Sequence, residues 1–267
     1  MDSLQLVVLA VVQGVTEFLP ISSSGHLILV PLLTTWPDQG LMLDVAVHVG
    51  SLGAVVAYLA GDIRTMLAGA FDRSRPGLMG NAGRRLLVHV AVATIPVVLV
   101  GFAVSGMLDQ LRRLDVIGWT MLVFGVALYW ADQRGGTTRR LDDMRLVGAF
   151  TVGCAQILAL IPGTSRAGIT MTAARLLGYE RTEAARFSML LSIPTIAAAG
   201  LLLAVELVRL GEMALTRDVL VGAALAFVSA FVAIVLMMRW LRHASFTPFV
   251  VYRVVLGLGL LALAYGG

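Results

Sequence analysis

Six stretches of the chain are apolar for long enough to cross a bilayer, and that most constrains what it can fold into. A hydrocarbon core needs about 20 predominantly apolar residues per helical span. The stretches lie at 41–60, 86–106, 116–131, 187–208, 219–238 and 249–265. Each ends at charge, among them Asp62, Arg64, Arg84, Arg85, Arg112, Arg113, Arg134, Arg209, Arg239 and Arg242. The expected fold is an all-α integral membrane protein, with residues 1–267 forming one membrane domain. Charged residues make up 13% of the chain, against about 25% in a soluble domain. That is too little charge to coat a water-facing surface.

Two further apolar regions, about 3–35 and 146–177, are broken midway by polar, Pro- and Gly-bearing segments. The first break reads Leu19-Pro20-Ile21-Ser22-Ser23-Ser24-Gly25-His26 and the second Ile161-Pro162-Gly163-Thr164-Ser165-Arg166-Ala167-Gly168. Aligned on their prolines, they sit at matching places in two halves, about 1–135 and 136–267. Interrupted apolar segments in corresponding positions point to a binding site built from broken helices. Irregular backbone at membrane depth survives only against protein or a water-filled cavity. Both regions are therefore expected to be re-entrant hairpins in an inverted-topology repeat.

Arg placement orients that topology. All 20 basic residues are Arg and none is Lys, which excludes P-loop NTPases and Schiff-base or pyridoxal enzymes. Loops 61–85 and 132–145 and the Arg239/Arg242 turn carry most of the loop Arg, while Arg112, Arg113, Arg209 and Arg217 lie on the other face. The positive-inside rule puts the Arg-rich face in the cytoplasm, and the first hairpin and both termini outside. The N-terminus has no basic n-region or small-residue cleavage site, so no removed signal peptide is expected. The net charge of +4 reflects these Arg, and no nucleic-acid partner is expected. The lone Cys154 excludes a disulfide framework or Cys-ligated zinc.

Ionisable groups inside apolar segments are costly and mark function by default. Glu17 precedes the first break with Gln13 one turn earlier, His26 closes that break, and Arg166 lies inside the second. A lone Glu17–Arg166 ion pair locking the fold is the plainer alternative. Against it stand the hydroxyls of Ser22, Ser23, Ser24, Thr164, Ser165 and Thr170, which an ion pair does not need. Helix starts in Ser- and Gly-bearing segments offer free N–H groups to an anion. Arg adds a planar fork that binds phosphate oxygens in pairs. A carboxylate beside an anion implies a divalent cation, Mg²⁺ or Ca²⁺ on Glu17 and Gln13, or a general base. Ser23 and His26 are candidate nucleophiles or proton carriers. These residues suit phosphoryl transfer or hydrolysis on a lipid phosphate. His48 is equally placed to line the site or to pack, and His89 and His243 are expected at the interface.

The run Gln13–His26 closely resembles the first signature of the undecaprenyl-diphosphatase (bacitracin-resistance) family, and Pro162–Thr170 resembles the second. The likeness continues through Leu141-Asp142-Asp143-Met144, the segment 187–194 and Ser245-Phe246-Thr247-Pro248-Phe249. The resemblance implies a bacterial inner-membrane hydrolase that converts undecaprenyl diphosphate to the monophosphate and inorganic phosphate. It recycles the lipid carrier of peptidoglycan synthesis and confers bacitracin resistance. It also implies six spans with two re-entrant hairpins and a site open to the outer face. Glu17, His26 and Arg166 match essential family positions and Ser23 the proposed nucleophile. Ser22, Ser165 and Thr170 match further site positions, with Ser24, Gly163 and Thr164 beside them. Many members have Glu in place of Gln13, and Ser in place of Ala167. The partners implied are the polyprenyl diphosphate and membrane lipids. Gly50/Gly53 and Gly257/Gly259 let helices pack closely without establishing an oligomer, and a homodimer is left open. The main rival is a prenyl-phosphate flippase, since broken helices at the midplane are also a transporter design.

Overall fold

The computed structural model describes residues 2–34, 36, 40–72, 74, 77–136, 138–210 and 216–266. Among these it contains helices and no strand. Six helices are long and apolar enough to cross a membrane. They are α3 (Gly40–Tyr58), α5 (Ala82–Val104), α6 (Leu114–Arg134), α9 (Arg181–Leu210), α10 (Arg217–Leu241) and α11 (Thr247–Tyr265). The two broken regions form shorter helix pairs, α1 (Ser3–Phe18) with α2 (Ser23–Leu33), and α7 (Leu146–Gln156) with α8 (Arg166–Leu176). A helix not expected from the sequence, α4 (Ala60–Phe71), follows α3.

All six expected spans are present, but α9 starts at Arg181, before the apolar stretch begins. Charge there marks an edge of the apolar layer without ending the helix. Arg181 pairs with Asp132 at 2.7 Å, and Arg186 pairs with Asp62. Asp132 is a buried hub that also accepts from Arg175 Nε at 3.1 Å and the Phe246 N–H at 3.1 Å. The remaining Arg175 donors go to the carbonyls of Asp132, Gly135, Gly136 and Tyr179. One carboxylate thereby ties α6, α8, α9 and the start of α11.

The arms of each pair pack on each other, α1 also lies on α10, and α7 on α5. α6 packs against both α8 and α11. Small residues permit the closest approaches. A Cβ on Gly50 would lie 2.1 Å from the Ala223 carbonyl oxygen, and one on Gly257 would lie 3.0 Å from that of Gly118. These glycines therefore serve contacts within the chain. His89, expected at the interface, is instead buried in α5.

Candidate active site

Both breaks end the same way. Ser22 (φ 75°) and Ser165 (φ 70°) adopt left-handed backbone and cap α2 and α8. Such a conformation costs a non-glycine residue on the order of 1–3 kcal/mol and persists only where its surroundings over-determine it. The matching caps correct the proline alignment by one residue: Ser22 corresponds to Ser165, not to Thr164. The extra residue is absorbed at Gly163, whose φ is 86°. A Cβ there would lie 2.2 Å from Thr120 Oγ1, so only glycine fits. In the corrected register Ser23 and Arg166 both stand first in their helices.

These two residues converge on Glu17. Arg166 Nη2 donates to Glu17 Oε1 at 2.8 Å, while Ser23 Oγ at 2.7 Å and Gln13 Nε2 at 2.9 Å donate to Oε2. Arg166 also donates to the Ser188 carbonyl at 3.4 Å and lies over the Phe18 ring at 5.8 Å. Glu17, Ser22, Ser23, Ser24, Ser165 and Arg166 line one cavity of about 260 Å³. Its other wall is apolar, with Val97, Leu160 and Ile196, and His48 faces it too. The start of α2 carries no side-chain cap, which leaves its first-turn N–H groups for an anion in the cavity.

The family model for the bacitracin resistance protein BacA matches residues 6–259. The chain belongs to the BacA family. It is 52% identical over 267 residues to the undecaprenyl-diphosphatase of Jannaschia sp. (strain CCS1), covering 99% of this chain and all of that one. The enzyme of the same name from Dinoroseobacter shibae is 53% identical over the same shares. That of Chromohalobacter salexigens is 49% identical over 98% of each chain.

In this BacA-family chain several residues read from the signatures support the cavity without lining it. Gly163 and Thr164 offer their carbonyls to Arg253. Thr170 is buried, bonded to Ser188 Oγ at 2.7 Å and to the Arg166 carbonyl at 2.9 Å. Gln13 sits behind Glu17, fully buried. His26 lies apart from the Glu17 cavity: Nδ1 is 2.6 Å from the Ser22 carbonyl and Nε2 is 2.6 Å from Tyr252 Oη. A carbonyl can only accept, so Nδ1 carries the proton, and in the neutral ring Nε2 accepts from Tyr252. His26 thus braces the strained cap beside Ser23.

Arg253 escaped the sequence reading. It is fully buried in α11 and donates to the carbonyls of Pro20 in the first break and of Gly163 and Thr164 in the second, at 3.2, 3.1 and 2.9 Å. It also reaches Thr120 and Met121 of α6, each at 3.3 Å. Gly168 leaves room for it, since a Cβ there would lie 2.8 Å from Arg253 Nη1. One guanidinium therefore clamps both breaks together. Its only sequence signal was a cation inside an apolar span.

The carboxylate at which the sequence places a divalent cation is engaged by protein donors in this structure. Both Glu17 oxygens already accept from protein donors, namely Arg166, Ser23 and Gln13, which solvate the carboxylate as a cation would. Gln13 turns its N–H toward Glu17, and its Oε1 has no hydrogen-bond partner among the described residues. No group of three or more His, Cys, Asp or Glu converges among the described residues.

Proposed function

We propose that this chain hydrolyses undecaprenyl diphosphate to undecaprenyl phosphate and inorganic phosphate. The observation that carries the chemistry is the Ser23 hydroxyl 2.7 Å from Glu17 Oε2, with Arg166 on the opposite carboxylate oxygen. Ser23 Oγ attacks the terminal phosphorus and its proton passes to Glu17. The bond from that phosphorus to the bridging oxygen breaks, and the lipid monophosphate leaves. Glu17 passes that proton to the departing monophosphate. Water then attacks the phosphoserine, Glu17 takes the water's proton and returns it to Ser23 Oγ as the P–Oγ bond breaks, and inorganic phosphate departs. Arg166 and the open N–H groups of α2 stabilise charge on the phosphoryl oxygens, the usual largest contribution in such sites. The arginine exchanges its bond to Glu17 for phosphate as the substrate enters.

The divalent cation expected from the sequence is best placed on the diphosphate itself, arriving as its counter-ion, with Glu17 the one acidic side chain lining the cavity. We further propose that the site opens to the exterior and both termini lie outside, as the Arg-rich 61–85 and 132–145 loops favour. Halves 1–135 and 136–267 are read as an inverted repeat, supported by the matched left-handed serines. A homodimer would use faces other than Gly50 and Gly257, whose contacts are internal, and light scattering in detergent tests it.

The deciding experiment is phosphate release from undecaprenyl diphosphate by pure protein in detergent, where no membrane separates two compartments. Release that persists in wild type and disappears in Ser23→Ala supports the reading, as does a phosphoserine trapped at Ser23. Wild-type turnover by Ser23→Ala transfers the attack to water or His26. Absence of release together with lipid translocation in vesicles would make the protein a flippase.

A further inference from the structure

An apolar groove of about 590 Å³ lies between α3–α4, α5 and α9. Its only hydroxyl is that of Thr94, which is turned back onto the Val90 carbonyl at 2.8 Å, so the wall presents no free donor. The groove shares two walls with the Glu17 cavity, and adjacent residues divide between them. On α5, Val97 faces the cavity and Val98 the groove; on α9, Ile196 faces the cavity and Ala197 the groove. Both walls carry a proline inside the helix at this level, Pro96 and Pro194. Proline removes an i→i−4 hydrogen bond and bends the helix axis.

A second apolar groove, of about 470 Å³, is lined by Val15 and Leu19 with residues of α10 and α11. Val15 and Leu19 stand two residues either side of Glu17, and helix neighbours at that spacing face away from each other. That groove therefore lies on the far side of α1 from the carboxylate. The first one instead borders the cavity along α5 and α9, where Val97 and Val98, and Ile196 and Ala197, are adjacent residues divided between the two.

We propose that the α5–α9 groove seats the prenyl chain of the substrate while its diphosphate occupies the Glu17 cavity. The inference rests on the hydrolase reading and adds where the lipid lies. From Leu99 to Leu87 the groove follows α5 for about 18 Å at 1.5 Å per residue, room for several isoprene units. The cavity alone is small for a lipid, and this groove supplies the apolar surface that the tail needs to leave the surrounding bilayer.

The test uses a polyprenyl diphosphate carrying a diazirine within its chain, with photo-adducts on the detergent-solubilised protein mapped by mass spectrometry. Adducts concentrated on α5 87–99 and α9 190–197, and displaced by unlabelled undecaprenyl diphosphate, support the assignment. Adducts on α10 around Val232 and Leu236, or spread evenly over the lipid face, overturn it. Labelling does not need turnover, so adducts in the groove without phosphate release would refute the hydrolase reading and leave the groove standing. A kinetic arm uses Ala91→Trp, which fills the groove about 9 Å along α5 from Val97. It is expected to raise KM for undecaprenyl diphosphate about tenfold or more, and to leave dimethylallyl diphosphate, a single isoprene unit, unaffected. Val232→Trp in the second groove should alter neither. Equal loss on both substrates in Ala91→Trp, or an equal effect of Val232→Trp, sinks the proposal.

Discussion

Replacing Arg253 by Lys tests whether the site is built by a clamp on backbone carbonyls. The guanidinium meets five carbonyls, of Pro20, Thr120, Met121, Gly163 and Thr164, and has no carboxylate partner among the described residues. Lys brings three donors from a single nitrogen, so at least two of these carbonyls lose their bond. Hydrogen bonds to a charged group contribute about 1.5–3 kcal/mol each, so the loss is about 3–6 kcal/mol. The charge is retained, and so is its burial cost, which makes Lys a cleaner probe than Met. Strain held at Ser22 and Ser165 is then free to relax, and Ser23 moves relative to Arg166. A displacement of about 1 Å in a reacting constellation costs on the order of 100-fold. The expected result is a kcat lower by about 10–100-fold with KM nearly unchanged, since Arg253 does not line the cavity. Phosphate release from undecaprenyl diphosphate measures kcat and KM, and thermal unfolding in the same detergent confirms that the variant is folded. A folded Arg253→Lys protein with wild-type kcat would refute the clamp. A rise in KM at constant kcat would instead put Arg253 on the substrate.

Four further outcomes follow. Arg166→Lys keeps a charge beside Glu17 but loses the fork, and kcat/KM should fall about 100- to 1,000-fold; near-wild-type release would remove Arg166 from the reaction. Asp132→Asn leaves buried Arg175 without its counter-charge and should cost about 3–5 kcal/mol, read as a lower unfolding temperature, while an unchanged transition would show that the carbonyls around Arg175 suffice. His26→Gln should lower kcat through the cap at Ser22 yet keep the shape of the pH–rate profile, because the Ser23 proton goes to Glu17; loss of one limb would make His26 the proton carrier. Protein treated with chelator and dialysed should hold no stoichiometric divalent metal by elemental analysis, and added Mg²⁺ or Ca²⁺ should restore turnover only through the substrate. A tightly retained ion would overturn the reading of Glu17 as saturated by protein donors.

What was legible in the sequence follows from which forces are local. Hydropathy found the six spans because bilayer thickness sets their length. The polar breaks exposed Glu17, Ser23 and Arg166 because charge and hydroxyls are conspicuous there. The register between the breaks was misread, since the prolines align but the left-handed caps do not. The left-handed φ values at Ser22, Ser165 and Gly163 reveal the inserted residue. Arg253 and Asp132 resembled stray or boundary charges. Their partners lie up to 233 and 114 residues away in the chain, and many are backbone carbonyls that look alike in any sequence. His26 was legible as important, but its direction toward Tyr252 was not.

The two left-handed serines place two alike helix starts around one small cavity. Five residues before each cap stand Glu17 and Leu160, and both line it. The cavity therefore has a head and a foot: proton transfer is confined to one wall, and the facing wall is free to be greasy. A chain that bound its lipid the other way round would present the phosphate to Leu160, where nothing can take a proton. Orientation of an amphiphile thus follows from which residue stands five before each cap, and exchanging Glu17 with Leu160 would leave the scaffold a binder without a reaction.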